Sequence, residues 1–282
     1  MPIDTVLSCV QIADLAVAAL RAEADLTPKP GLVDRRGPGA HTDMDLATLH
    51  ASADALHPAF RQCADAARRF GSDEERLRVR LGVIGRAGER AMLAATGGVN
   101  THRGALWAVG LLSAGAARSG TLGGAVAVAA RLATIPDPHV TGTTSHGAQA
   151  RRRYGAAGAA GEAQAGFPHI RRHALPALRA ARRAGADEAT ARLTALLALM
   201  ATVDDTCVLH RGGTDGLRTV QSGAEAVLDA GGIGTVRGRH LFAELDGSCL
   251  SRRLSPGGSG DLLSATLFLD ALDERESPSC RP

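Results

Sequence analysis

Apolar residues recur every three or four positions through most of the chain, the spacing that gives an α-helix one buried face. Val6, Val10, Ala13, Val17 and Leu20 follow this rule behind Asp4, which predicts an N-capped helix running to about Asp25. LATLHASADAL predicts a second helix, capped by Asp43 or Asp45 and bent at Pro58. A third is expected from Asp73 to the Gly97–Gly98 stop, a fourth in GALWAVGLLSAGAARSG capped by Asn100 or Thr101, and a fifth in LGGAVAVAARLATIP. ARLTALLALMATV is strongly apolar, as a buried helix is, and ends in Asp204–Asp205, with three more helical segments beyond it. No stretch alternates with β-branched residues, so a Rossmann or P-loop reading has no strand to start from. The pattern predicts an all-α fold: one single-domain multi-helix bundle over residues 1–282, with glycine-rich loops between the helices.

Composition sharpens this picture. The chain is 45% hydrophobic but only 2% aromatic, with a single Trp107 and a single Tyr154, so the core rests on Ala, Leu and Val, which let helices approach closely. The net charge of +3 is spread in short runs such as Arg151 to Arg153, Arg171–Arg172 and Arg252–Arg253, read as solvated helix faces. These runs lack interleaved aromatics, which argues against nucleic acid as a partner. Five cysteines without CxxC spacing imply neither zinc nor a disulfide framework, and reduced thiols point to the cytoplasm. MPIDTVLSCVQ has no basic region or cleavage site, and LTALLALMATV is too short to span a bilayer, so no membrane association is expected.

Polar residues that break the helical pattern gather in five glycine-marked loops: TPKPGLVDRRGPGAHTDM, GGVNTHRGA, GAAGEAQAGFP, VDDTCVLHRGG and LSPGGSGDLL. Free amides at a helix N-terminus, with a nearby cation, favour anions, and several such places together suggest a polyphosphate. The first loop holds Lys29, the only lysine in the chain, between two prolines. Asp204 and Asp205, at the end of an apolar helix, oppose its dipole and call for a cation, Mg²⁺ or an arginine such as Arg211. Ser259, with Gly257 and Gly258, has the makings of a backbone cradle for phosphate. The alanine- and glycine-rich YGAAGAAGEAQAGF taken alone reads as a linker.

Taken in order, TPKPGLVDRRGPGAHTDM, GVNTHRGALWAVGLL, GEAQAGFP, DDTCVLHRGG and LSPGGSGDLLSATLFL resemble the motif series of the triphosphoribosyl-dephospho-CoA synthase family, from about Ala24 to Leu269. The resemblance implies an all-helical enzyme that transfers the triphosphoribosyl group of ATP to 3′-dephospho-CoA and releases adenine. Its product would pass to a separate transferase acting on the acyl carrier protein of malonate decarboxylase or citrate lyase. The Ala- and Arg-rich composition tilts the expectation to malonate decarboxylase. A Mg²⁺-dependent ribosyl-bond hydrolase and a nucleotide-binding regulator are the rival readings, and a homo-oligomer is compatible with all three.

On this reaction Lys29, Arg35, His102, Arg103 and Arg211 are expected to hold the triphosphate, with His41, Asn100, Gly257, Gly258 and Ser259 completing the substrate-binding set. An oxocarbenium-like transition state at the ribose carbon needs a carboxylate and a base for the incoming 2′-hydroxyl, the roles expected of Glu162 and Asp34. Asp204, Asp205 and Asp43 are expected to hold Mg²⁺. The chain departs from the family pattern at Ala160, where many relatives carry arginine, at Arg103, where lysine is common, and at Gly260, often alanine. The third motif is then expected to be a mobile active-site loop that orders on substrate.

Overall fold

The computed structural model describes residues 7–139 and 146–276. Their regular structure is helical, and the one β feature among them is an isolated bridge between Asp34 and Gly37. Helix α1 (Cys9–Asp25) starts at Ser8, whose hydroxyl accepts from the Gln11 amide while the Gln11 side chain accepts from the Ser8 amide. The expected cap, Asp4, and Val6 lie outside the described residues. Asp45 caps α2 (Leu46–Phe70), which continues through Pro58, and Asp73 caps α3 (Glu74–Ala95). Helix α4 (Arg103–Ser119) has His102 at its N-cap with no side-chain cap of its own, so neither Asn100 nor Thr101 fills that place. Next come α5 (Leu122–Thr134), α6 (His146–Tyr154) and α7 (Gly158–Gln164). A π-helical turn (Ile170–Ala174) leads into α8 (Leu175–Arg183), then α9 (Glu188–Thr202), α10 (Thr206–Asp229), α11 (Val236–Ser251) and α12 (Gly257–Glu276).

Small side chains bring the helices together. Along α4, Ala105, Ala108, Ala114 and Leu112 are buried, and the helix contacts α1, α2, α5 and α12. Fully buried Phe60, Leu56 and Phe268 fill the remaining space. Helix α12 runs along α1 and α4 and reaches α9 and α10, so the two halves of the chain share one core. No single helix among the described residues is long and apolar enough to cross a membrane; α9 and α10 pass that test only as a pair bent by 59°.

Two expectations change here. The segment expected as a linker or mobile loop is the short helix α7, with Glu162 and Ala163 buried and the Trp107 indole N–H donating to the Ala159 carbonyl. Alanine is the strongest helix former, so a low-complexity alanine run folds once one face is buried. The apolar helix α9 ends at Thr202, and Asp205 opens α10 as its N-cap instead of closing α9.

Candidate active site

Asp205 joins two helix N-termini. Its Oδ1 accepts from the amides of Cys207 (2.9 Å) and Val208 (3.3 Å), and its Oδ2 from the amide (2.8 Å) and hydroxyl (3.0 Å) of Ser259 on α12. The side chain is buried, and burial pushes its carboxyl above the ordinary range against the pull of these donors. The expectation that this acid opposes a helix dipole is therefore reversed: it sits where two dipoles favour it. The same contacts occupy the Ser259 donors assigned to phosphate, and Gly258 lies against the Asp205 carboxylate.

The loop after α1 is tied down from within. Asp34 is buried and accepts from the Lys29 amide (2.7 Å), the Arg36 amide (2.8 Å) and the Arg36 guanidinium (2.8 Å to Nη2). Burial alone would raise its pKa, but Arg36 and the two amides hold the carboxyl below the ordinary range. Arg36 reaches on to Asp246 of α11 (2.6 Å), which also accepts from the Gly31 amide. Asp34 is thus a fastener of the loop, and the role expected of it as a base has no free oxygen to serve it.

Lys29 is 1% exposed, and its ammonium donates to the Glu23 carboxylate (2.7 Å) and the Glu23 carbonyl (2.6 Å) at the end of α1. In this arrangement the lysine expected on phosphate is committed to Glu23. Beside them His102 is buried, with Nδ1 2.8 Å from the Ser52 hydroxyl and Nε2 without a hydrogen-bond partner. Burial pushes its pKa down to about 4, against the pull of Glu23, so His102 is neutral near pH 7 and supplies no charge. Asp261, one turn into α12, is partly exposed and closes the uncapped start of α4, accepting from the Ala105 amide. A side chain at Gly104 would collide with that carboxyl group, so the approach requires glycine.

His102 yields a pH prediction. The unfolded chain takes up this proton near 6.5 and the folded chain only near 4, so stability is full above pH 6.5 and falls as pH drops through that window. The slope approaches about 1.4 kcal/mol per pH unit. Urea midpoints between pH 7 and 4.5 should fall more steeply for the wild type than for His102→Gln; parallel curves would remove His102 as the cause.

A third group lies on the other side of Asp205. His41 is held by the Ser255 hydroxyl at Nε2 (2.8 Å) and by Arg211, which donates to Nδ1 (3.2 Å) and to the carbonyls of Ala40 and Arg253. This network assigns the proton to Nε2. Burial and Arg211 push His41 below its ordinary pKa, and exposed Asp43 lies 3.5 Å away. Just past Arg211 the helix breaks at Gly213 (φ +61°, ψ −159°), a conformation open to glycine alone at low cost. The break turns the first turns of α10 independently of the rest.

The third motif supplies a buried carboxylate. Glu162 accepts from the His169 amide (3.0 Å) and from His169 Nδ1 (2.6 Å), so both its oxygens are engaged by one residue. The Glu162 contact pushes the His169 pKa up against burial, helped by the Thr202 carbonyl and by Asp204. Exposed Asp204 therefore links this pair to the start of α10. Glu162 with Asp204, Asp205 with Arg211, His102 with Asp261, and the loop from Leu26 to Asp45 form one continuous polar region. Three expected residues sit at its rim or are otherwise engaged. Asn100 is exposed, Arg35 is exposed and pairs with Asp25 (3.4 Å), and Arg103 is bound to Glu89.

All five motifs thus meet where the N-termini of α4, α10 and α12 come together. Residues 9–279 match the CitG family, described as ATP:dephospho-CoA triphosphoribosyl transferase. The chain belongs to this family. It is 57% identical over 265 residues to a protein of Stutzerimonas stutzeri (strain A1501) named "Probable 2-(5''-triphosphoribosyl)-3'-dephosphocoenzyme-A synthase", covering 93% of this chain and 91% of that one. Proteins of the same name from Pseudomonas fluorescens (strain Pf0-1) and Pseudomonas putida are 54% and 56% identical, over 95% and 92% of this chain and 94% and 93% of theirs. No solved structure matches.

Within this member of the CitG family, Glu23, Ser255, His169 and Asp246 belong to the site region and were not singled out from sequence. His169 follows the third motif directly, in FPHI, and a histidine near a motif carboxylate was the available signal. Glu23 had none, because it reads as one more polar position on α1. The expected magnesium set does not fit as built. Both Asp205 oxygens are filled by four protein donors, exposed Asp43 lies beside His41, and exposed Asp204 stands apart from it beyond the His169 pair. Among the described residues no three His, Cys, Asp or Glu side chains are arranged to hold a metal ion.

Proposed function

We propose that this chain transfers the triphosphoribosyl group of ATP to the 2′-hydroxyl of 3′-dephospho-CoA, releasing adenine and forming 2′-(5″-triphosphoribosyl)-3′-dephospho-CoA. The observation that carries the reading is the meeting of three helix N-termini and five motifs in one polar region within a CitG-family chain. Asp205 and Asp261 take the amides of Cys207, Val208, Ser259 and Ala105 at these starts, so the triphosphate that stays on the transferred ribose is left to Arg211 and to the first-turn amides the two acids do not use. Glu162, oriented by His169, is the base for the incoming hydroxyl: the clamp fixes its direction and leaves one lone pair on each oxygen. A magnesium ion carried in on the triphosphate, as part of the substrate, is the metal dependence this arrangement accommodates. The product is the prosthetic-group precursor handed to a second transferase for the acyl carrier protein of malonate decarboxylase, with citrate lyase as the other branch. Buried free thiols at Cys9, Cys63 and Cys249 favour a cytoplasmic enzyme.

Mass spectrometry after incubation with ATP, Mg²⁺ and dephospho-CoA should show a triphosphoribosyl adduct and free adenine in equal amounts. Adenine without the adduct would mean hydrolysis, and ATP binding with neither product would mean a regulator. In the same assay Glu162→Gln is expected to lose at least roughly a hundredfold in turnover while ATP affinity stays within about twofold. Wild-type turnover in that variant would exclude Glu162 as the base.

A further inference from the structure

Three carboxyl groups, Glu23, Asp205 and Asp261, surround the place where α1, α4, α10 and α12 meet, and their partners are unequal. Glu23 is paired with the Lys29 ammonium at 2.7 Å. Asp205 receives four donors. Asp261 receives the Ala105 amide and no cation. Neighbouring cations are committed elsewhere: Arg103 to Glu89, and Arg211 to His41 and two carbonyls, while the His50 ring contacts Asp25. Neutral His102 adds no charge. Three carboxylates around one ammonium are unequally served, and a proton is held best by the one that has neither a cation nor several donors. That is Asp261, and of the three it alone is partly exposed, so its proton can be handed outward.

From this arrangement we propose that Asp261 is the acid that protonates adenine as it leaves the ribose. The inference rests on the transferase reading above and names a residue which that reading does not assign. The bond between ribose C1′ and adenine N9 breaks, and its electron pair passes into the purine. The Asp261 proton goes to ring nitrogen N7, so adenine departs neutral. The acceptor oxygen bonds to C1′, and its proton goes to Glu162. Asp261 then regains a proton from solvent and Glu162 releases one, which balances the cycle. Burial, with Glu23 and then Asp205 beside it, pushes the Asp261 carboxyl well above its ordinary range against the Ala105 amide, the direction that favours the protonated form an acid needs. The titratable groups that act on it are Glu23 of α1 and Asp205 and Cys207 of α10, with Lys29 and His102 in turn beside Glu23.

Leaving-group analogues test the idea. Asp261→Asn keeps an acceptor for the Ala105 amide and removes the acid. Its turnover with ATP should fall roughly a hundredfold or more, with KM within about twofold. N7-methyl-ATP carries a base that leaves without a proton, and it should restore the variant to within a fewfold of wild type. The wild type should itself be slowed roughly a hundredfold by 7-deaza-ATP, which has carbon in place of the N7 that receives the proton. Any fall of its rate with ATP as pH rises past the point where Asp261 loses its proton should vanish with N7-methyl-ATP. Equal loss on ATP and N7-methyl-ATP in the variant, or wild-type turnover of 7-deaza-ATP at the rate of ATP, would overturn the assignment. If Asp261→Asn does not fold, the wild-type comparison of the three nucleotides decides alone. Absence of any triphosphoribosyl product from wild type and ATP would instead refute the transferase reading itself.

Discussion

Lys29→Ala is expected to destabilise the fold by about 3–5 kcal/mol, the usual result of removing one partner from a buried ion pair. The ammonium it removes is 1% exposed and neutralises Glu23, itself 5% exposed, while also satisfying the Glu23 carbonyl at the last turn of α1. Alanine leaves a buried carboxylate without its cation in a space that also holds Asp261, while the Glu23 carbonyl keeps the Leu26 amide (3.2 Å). For a chain of this size, about 2–4 °C in Tm per kcal/mol implies a loss of roughly 10 °C. Pairing the change with Glu23→Gln should recover much of the loss, because the uncompensated charge is gone. Thermal unfolding at pH 7 of the single and double variants checks both statements. A wild-type Tm for Lys29→Ala would show that Glu23 does not depend on it. The sequence points instead to a lysine whose charge is kept for the triphosphate, and such a residue would be spent on binding and not on the fold.

Asp205→Ala is the second large effect, at least about 3 kcal/mol. It leaves three amides and a hydroxyl without their acceptor at the joined starts of α10 and α12, and a buried donor without a partner costs about 1–3 kcal/mol. Exposed Asp204→Asn should shift stability by less than about 0.5 kcal/mol. Denaturant midpoints for the two variants therefore separate a helix fastener from a solvent-facing acid. Equal midpoints would undo the account of Asp205. In folded protein, neither change is expected to act as the loss of a paired magnesium site would, with a joint rise in the Mg²⁺ needed for half-maximal rate.

Helices were readable because apolar spacing is a local signal, and caps such as Asp45 and Asp73 announce themselves by type and place. What local pattern cannot supply is the partner. An acid after an apolar helix can end that helix or begin the next, and only the extended backbone at Asp205 (φ −63°, ψ 110°) decides for the latter. Lys29 was conspicuous as the only lysine, yet its use depends on a loop folding back onto the last turn of α1. Glu162 was legible as an acid within a motif. The turn at Phe167 (φ +55°) that lets His169 clasp it was not, since a bulky residue there reads as ordinary core. The alanine-rich α7 was hidden by composition, because the same residues serve linkers when no surface covers them.

The polar region draws Glu23 from α1 and Ser259 with Asp261 from α12, at opposite ends of the described chain. A nascent polypeptide on the ribosome therefore carries the Lys29–Glu23 pair and the open start of α4 long before their cover has been synthesised. Until α12 arrives, water reaches this pair, the α10 start lacks its tie to Ser259, and the apolar faces of α1 and α4 stand uncovered. Docking of α12 is a contact between distant parts of the chain, and such contacts form slowly and leave apolar surface open to aggregation until they close.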